Sequence, residues 1–277
     1  MKPFITKLKN SERLQTWLAA LFWLLVWHVA ARVVSRDLIL VSPERVAARL
    51  WELGQTLDFW KSVGFTLARI TAGFLLSGIA GIALAALSAW KRPIHALIRP
   101  LVALVQSTPV ASFTILALIW VRAPNLSALV SFLMSLPIFY AGILEGIFRI
   151  DKRLLEMARL FEMPRARRLT AIYIPGVRPY WLSSSTGALG IAWKSGVSAE
   201  VIGLPSGSIG QRLQQAKLFL ETADLFAWTA VIIALSVLMG ALLRRLANAH
   251  PRPHLPHPRG KEAWTDGRVR DSGRGAV

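Results

Sequence analysis

A lysine at position 194 stands inside an otherwise apolar run from Tyr180 to Leu204, six residues before Glu200. A charged amine near the middle of a membrane-length helix costs about 2.5–3.5 kcal/mol on insertion scales unless water or a partner accompanies it. Lys194 is therefore expected to face an interior. Either it lines a route and offers positive charge to an anionic solute, or it is structural, pairing with Glu200 or a carbonyl or snorkelling. Six helical residues turn through about 600°, which puts Lys194 and Glu200 on different faces of a straight helix. Glu200, near the end of its run, acts either at an outer gate or as a rim carboxylate held by Arg69 or Arg212. A second polar break, Gln106-Ser107-Thr108-Pro109, interrupts another apolar run. Pro109 removes one helix hydrogen bond and frees a carbonyl. At membrane depth such a break is tolerated only against protein or a water-filled cavity, so it lines a pathway or serves as a structural kink.

Other chemistries lack their residues. The chain has no cysteine, hence no disulfide, thiolate metal site or cysteine nucleophile. No Gly-rich phosphate loop with Lys-Ser/Thr occurs, so nucleotide hydrolysis by this chain is not expected. His28 and His95 are far apart and have no clustered carboxylates, and His250, His254 and His257 lie among prolines that fix no geometry. No catalytic residue, metal or resident cofactor is expected.

The elements that must position these residues are long and greasy. Of 277 residues, 54% are hydrophobic and 17% charged, and mean hydropathy is +0.46; soluble domains are closer to 25% charged. A bilayer core about 30 Å thick needs roughly 20 apolar residues in a helix. Runs of that kind cover 16–34, 63–90, 100–121, 126–148, 180–204 and 225–246. The first is too long and too rich in tryptophan for a cleaved signal peptide. The fold expected is an all-α membrane protein of six transmembrane helices, residues 16–246, with both termini on one side. In the second run Gly73, Ser77, Gly78 and Gly81 form a small-residue face suited to close helix packing.

The basic residues choose the side. The 33 basic against 15 acidic residues, formal +18, could suggest a nucleic-acid surface in a soluble protein. Here they concentrate on one side, with Lys2, Lys7, Lys9 and Arg13 in residues 1–15, Lys91, Arg92 and Arg99 after the second run, eight between Arg149 and Arg178, and eight from Arg244 onward. Lys and Arg collect in short cytoplasmic loops, so both termini are placed inside and no nucleic-acid partner is expected. Residues 247–277 read as a disordered, basic, Pro/Gly-rich cytoplasmic tail. Outside, Ser42 and Pro43 open a short surface helix whose Val46, Leu50, Leu53 and Leu57 share a face, and a second short helix covers Gln211 to Leu220.

Between the fourth and fifth runs lie 31 residues, 149–179, too many for a structureless loop. Leu154, Leu155, Ala158, Phe161 and Met163 give a helical apolar face, Pro164 opens a further turn, and Leu169, Ile172 and Ile174 continue the pattern. Two short helices meeting at a bend, apolar on one side and strongly basic on the flank, need lipid headgroups or a protein partner to cover them.

Glu156-Met157-Ala158, with Pro175 nineteen residues after the glutamate, resembles the EAA signature of permease subunits of bacterial ATP-binding-cassette importers. Thr66-Leu67-Ala68-Arg69, Gln106-Ser107-Thr108-Pro109, Trp193-Lys194 with Ala199 to Gly203, and Ala216-Lys217 to Asp224-Thr229 are similar to the sulfonate, taurine and nitrate branch. The resemblance spans about residues 60 to 240.

It implies that 149–179 is a cytoplasmic coupling helix docking on a cytosolic ATPase through Glu156, Ala158, Glu162, Pro164, Arg165, Arg167, Arg168 and Pro175. It implies a pathway lined by Gln106, Ser107, Thr108, Pro109, Trp193 and Lys194, and an outer gate or binding-protein contact at Arg69 and Glu200. The implied partners are a second permease copy, two ATPase subunits that carry the ATP and Mg, and an extracytoplasmic solute-binding protein, all at the bacterial inner membrane. One departure is that Glu162 stands where the family has glycine, so the bend is expected at Pro164 instead. The competing class, an ATP-independent secondary transporter, calls for internal repeats and intramembrane ionisable groups for ion coupling, and no convincing repeat is found.

Overall fold

The computed structural model describes residues 2–34 and 39–248, all in helices and their connecting turns. The order is α1 (Lys2–Val34), α2 (Pro43–Gly54), α3 (Leu57–Trp90), α4 (Arg92–Ser107), α5 (Val110–Ala117), α6 (Ala123–Phe148), α7 (Lys152–Leu160), α8 (Arg165–Arg168), a wide π-helical turn (Leu169–Tyr173), α9 (Ile174–Gly203), α10 (Ile209–Leu218) and α11 (Thr222–Asn248). The expected tail lies outside the described residues from 249 onward.

The centre is a three-helix unit in which α6 packs along both α3 and α9. In lipid, apolar side chains gain nothing by leaving the solvent, so close backbone approach and hydrogen bonds across helices decide which faces meet. The small-residue face of α3 meets α6 as expected. A Cβ added at Gly81 would stand 2.6 Å from Phe139 Cβ and 3.2 Å from the Tyr140 backbone nitrogen. One added at Gly196 on α9 would stand 2.7 Å from Ile70 Cγ1. Buried hydroxyls knit the same seams: Ser77 Oγ lies 2.6 Å from Ser135 Oγ, Ser135 donates to the Ser131 carbonyl at 2.6 Å, and Ser131 donates to the Ala192 carbonyl at 2.9 Å. Phe74, Phe139, Ile143, Leu144 and Leu189 fill the space between.

Four helical stretches are long and apolar enough to cross a membrane: Leu14–Val34, Leu57–Trp90, Ala123–Phe148 and Thr222–Ala247. The run at 100–121, expected as one span, is instead two helices, α4 and α5, bent by 103°. Pro109 explains the break, since it has no N–H and its ring drives the preceding residue out of the helical region. Thr108 is accordingly extended, at φ −81° and ψ 126°. Helix α9 covers the expected fifth run and starts earlier, but Ser183, Ser184, Ser185, Thr186, Lys194, Ser195 and Ser198 dilute its apolarity below that of the four.

Helix α2 begins as expected, with Ser42 at the N-cap and Pro43 in the first turn, although the Ser42 hydroxyl bonds the Glu44 carboxylate, lowering its pKa, instead of capping the backbone. Val46, Leu50 and Leu53 pack on α11 through Ala227 and its neighbours, whereas Leu57 opens α3 and is exposed. Arg49 clamps the contact: its Nε pairs with Asp224 Oδ1 and its Nη2 donates to Asp224 Oδ2 at 3.0 Å, which raises the guanidinium pKa further. Helix α1 touches the rest lightly, through stacking of Trp27 on Phe226 at 6.0 Å and the 3.2 Å approach of His28 Nδ1 to Glu44.

The close approach at Gly81 yields a direct prediction. Gly81→Ala should destabilise the fold by about 1–3 kcal/mol through overpacking. Gly64→Ala, on the same helix but with nothing within 4 Å of the added atom, should leave the thermal midpoint in detergent unchanged or slightly raised.

Candidate functional site

Three clusters carry the chemistry-bearing residues, one at each end of α9 and one along its length.

The elbow formed by α7 and α8 precedes α9. Asp151 caps α7, its Oδ1 accepting from the Arg153 N–H at 2.9 Å. One side of the helix turns toward the protein, with Ala158 only 2% exposed. Beginning beside Ala158 and running round from it, Leu154, Met157, Leu160 and Phe161 lie bare, Leu160 and Phe161 being 82% and 77% exposed. These positions are three or four residues apart and so form one stripe. Glu156 and Arg159 stand exposed on its flanks.

The helix ends in a Schellman motif, where the Glu162 N–H bonds the Arg159 carbonyl at 3.0 Å and the Met163 N–H bonds the Ala158 carbonyl at 2.9 Å. That motif needs a left-handed residue, and Glu162 supplies it at φ +47°. The expected shift of the bend to Pro164 is therefore corrected. The glycine-type turn persists with a glutamate in it, at a cost of about 1 kcal/mol, and Pro164 only opens α8.

Arg165 and Arg167 are exposed on α8, while Arg168 folds back to the Met163 carbonyl at 3.3 Å. Pro175, in the first turn of α9, cannot donate to Ala171 and its ring crowds that carbonyl. The ladder widens there, with the Ile174 N–H reaching back five residues to Leu169. The elbow thus continues into α9 as one unbroken rod.

Along α9, Trp193 and Lys194 part company. Trp193 is 2% exposed and its Nε1 donates to the Ile232 carbonyl of α11 at 3.1 Å, so it is a packing residue and not a pathway wall. Lys194 faces outward from the single subunit, in an exposed stripe with Ser183, Thr186, Gly187, Ile191 and Ser198. No ion pair involves it among the described residues. An interior for this lysine must therefore come from outside the chain. Gln106, Ser107 and Pro109 are exposed at the α4–α5 break and Thr108 is half-buried. The Ser107 and Thr108 hydroxyls donate to the Leu104 carbonyl at 3.0 and 2.8 Å, which also accepts the Thr108 N–H at 3.1 Å. No hydrogen bond joins this break to Lys194.

At the C-terminal end of α9, Glu200 is fully buried, which leaves it no surface for another protein to touch. Its Oε2 accepts from the Thr66 hydroxyl at 2.7 Å and the Gly210 N–H at 3.3 Å, and Thr66 Oγ1 accepts the Ile209 N–H at 3.0 Å. One carboxylate thus ties α3, α9 and the start of α10. Gly210 is required there, because a Cβ would meet the Val201 backbone nitrogen at 2.6 Å.

Neither arginine holds Glu200 as expected. Arg69 bonds Asn125 and lies 5.1 Å from the centre of the Phe65 ring, and Arg212 Nη2 lies 4.0 Å from Asp58. Sequence reasoning missed Thr66 and Gly210 as its partners. A partial signal existed in Ser208-x-x-Gln211, a capping-box spacing that starts α10. Ser208 Oγ accepts the Gln211 N–H at 3.0 Å, and Gln211 Oε1 accepts that of Gly207 at 2.7 Å.

Thr66→Val should remove one donor to Glu200 and orphan the Ile209 N–H, lowering stability by about 1–3 kcal/mol. Thr66→Ser should retain most of it, and thermal unfolding of the two variants side by side checks the contrast.

Comparison with known proteins fits this geometry. Residues 64–252 match the family described as the binding-protein-dependent transport system inner membrane component. A Bacillus subtilis (strain 168) protein described as an aliphatic sulfonates transport permease is 24% identical over 225 residues, 80% of this chain and 80% of that protein. The taurine transport system permease protein of Escherichia coli (strain K12) is 25% identical over 235 residues, 81% of this chain and 85% of its own length. Among solved structures, an inward-facing methionine ABC transporter chain superposes with a TM-score of 0.57 at 14% identity, covering 68% of this chain and 94% of its own. That likeness shows the importer-permease fold.

Proposed function

The chain belongs to the family of binding-protein-dependent transport system inner membrane components, and on that premise we propose how it performs transport as the permease subunit of an ATP-driven importer. It is a multi-pass protein of the bacterial inner membrane, and the system it serves depends on a solute-binding protein.

The observation that carries the proposal is the bare stripe Leu154, Met157, Leu160 and Phe161 on a short helix flanked by Arg165 and Arg167. An apolar ridge so exposed requires cover, and a cytosolic ATPase subunit is the occupant proposed, with Glu156 and Glu162 at the contact. ATP and Mg belong to that partner. Our reading is of six spans: α1, α3, the bent pair α4–α5, α6, α9 and α11. Residues 1–15 and 247–277 are then cytoplasmic, on the side of the elbow, as the basic residues favour.

A second copy of the chain supplies the interior that Lys194 lacks. The polar and small stripe of α9 then faces its twin across the solute route, with the Gln106 to Pro109 break at its side. Relatives described for aliphatic sulfonates and taurine, together with an intramembrane ammonium group, support a small organic anion such as a sulfonate as the solute. Closure of the ATPase pair on nucleotide would hold the two elbows in the spacing of the outward-facing state, so the ligand shifts a population through differential contact.

Two outcomes test this reading. Leu160→Asp combined with Phe161→Asp should cut co-purification with the cognate ATPase at least about tenfold, by desolvation of two charges at the contact, with membrane insertion unchanged. Full retention of the ATPase would remove the docking role. Lys194→Ala should lower uptake of radiolabelled taurine or an alkanesulfonate at least about tenfold at equal expression, with Lys194→Arg retaining part of it; equal uptake by all three would leave Lys194 no part in solute passage.

A further inference from the structure

A groove of about 720 Å³ opens between the C-terminal ends of α3 and α6, the π-helical turn and the start of α9. Its floor is aliphatic, formed by Ala86, Ile143 and Ile147, and its mouth carries Trp90, Tyr173 and Arg178. The volume falls within the range of small-molecule sites, about 300–1,000 Å³. Nothing in the solute route or the docking stripe uses it.

Its position and chemistry point to one class of occupant. With α3, α6 and α9 as spans, the mouth lies where inner headgroups meet hydrocarbon, the depth at which Trp and Tyr side chains collect. A half-buried guanidinium, Arg178, lines it. The Lys91 ammonium sits 5.0 Å from the centre of the Trp90 ring, and among the described residues no ion pair involves it. One cation, Arg178, thus belongs to a lining that is otherwise uncharged, and a second, Lys91, follows the lining residue Trp90 at the end of α3 and sits over its ring. A guanidinium recognises phosphate by paired donors, with an ammonium as a supporting point charge.

A second copy of the chain is the less suited occupant. Arg178 precedes Lys194 by sixteen residues, about 160° around the helix, so the groove turns away from the stripe assigned to the subunit contact. We propose that this groove binds an anionic phospholipid of the inner leaflet, its acyl chain on Ala86, Ile143 and Ile147 and its phosphate between Arg178 and Lys91. The inference rests on the reading of these helices as spans and is independent of ATPase docking. Because the π-helical turn forms one wall, the bound lipid touches the root of the elbow.

Native mass spectrometry of the full chain, extracted from vesicles of equal phosphatidylcholine and phosphatidylglycerol, tests the site. The wild type should retain phosphatidylglycerol over phosphatidylcholine by about tenfold, and Arg178→Gln with Lys91→Gln should abolish that preference while leaving total lipid nearly unchanged. Ala86→Trp, which fills the floor and leaves both cations, should lose lipid of either kind; if that variant misfolds, the charge variants still decide. Equal phosphatidylglycerol preference in wild type and charge variant would overturn the proposal. So would displacement of the lipid by millimolar inorganic phosphate, which would make this an ion site. Disulfide formation between two copies through Ala86→Cys, in a chain without native cysteine, would also overturn it by giving the groove to the second subunit. Release of the chain by alkaline extraction would overturn the span reading and the lipid site together, whereas a retained chain without lipid preference would overturn the site alone.

Discussion

Helices that already sit in hydrocarbon have no hydrophobic reason to associate, and the rest of this structure depends on how α3, α6 and α9 solve that problem. Their contact is made by missing side chains and shared hydroxyls. Gly81 and Gly196 admit Phe139 and Ile70 to distances that no Cβ would allow, and Ser77, Ser135 and Ser131 link the three backbones in sequence to the Ala192 carbonyl. Each such bond is worth only about 0.6 kcal/mol on average in a membrane protein. Their value is directional, since a hydroxyl in hydrocarbon has few alternative partners and so fixes rotation and register. The same seam leaves the opposite side of α9 free to carry a lysine without charging the core.

The two ends of α9 are held in different ways. At its C-terminal end, Glu200 accepts from Thr66 and from the Gly210 N–H of α10, a buried polar knot that joins the rod to its neighbours. At its N-terminal end, the rod runs without a break through the widened turn before Pro175 into α8, then meets α7 at the left-handed Glu162. The helix between these two ends is 30 residues long, with Pro179 inside it near its start.

Much of this was legible in the sequence, and the failures share a cause. Runs of apolar residues suffice for the long helices, because burial in lipid is a composition rule. The Ser42-Pro43 start, the pair of short helices in 149–179 and the small-residue face of α3 followed from local chemistry. Pro109 was recognised as a break, but whether it kinks a span or folds it by 103° depends on what α5 packs against, which no local pattern states. Trp193 and Glu200 were misjudged for a related reason. Both are polar-tipped residues in an apolar run, and only the fold decides whether the tip meets a route or a neighbouring helix; for Trp193 that neighbour is a carbonyl of α11. Glu162 was misread because a left-handed residue that is not glycine runs against propensity, yet the Schellman bonds of α7 impose it.

The strain at Glu162 and the exposure of Leu160 and Phe161 have a common physical reading. A monomer gains nothing by keeping a carboxylate at φ +47° when glycine would relax the turn, nor by presenting two large apolar side chains to water. In the docking proposed above, a partner would cover the stripe, so the cost of exposing it would be carried by the free subunit and recovered in the complex. Placing that cost on a rod clamped at its far end by Glu200 has a mechanical consequence. The elbow joins α9 through a continuous, if widened, hydrogen-bond ladder before Pro175. In the proposed importer, that ladder is the covalent and hydrogen-bonded route by which closure of the ATPase pair would reach the polar stripe of α9, where Lys194 stands.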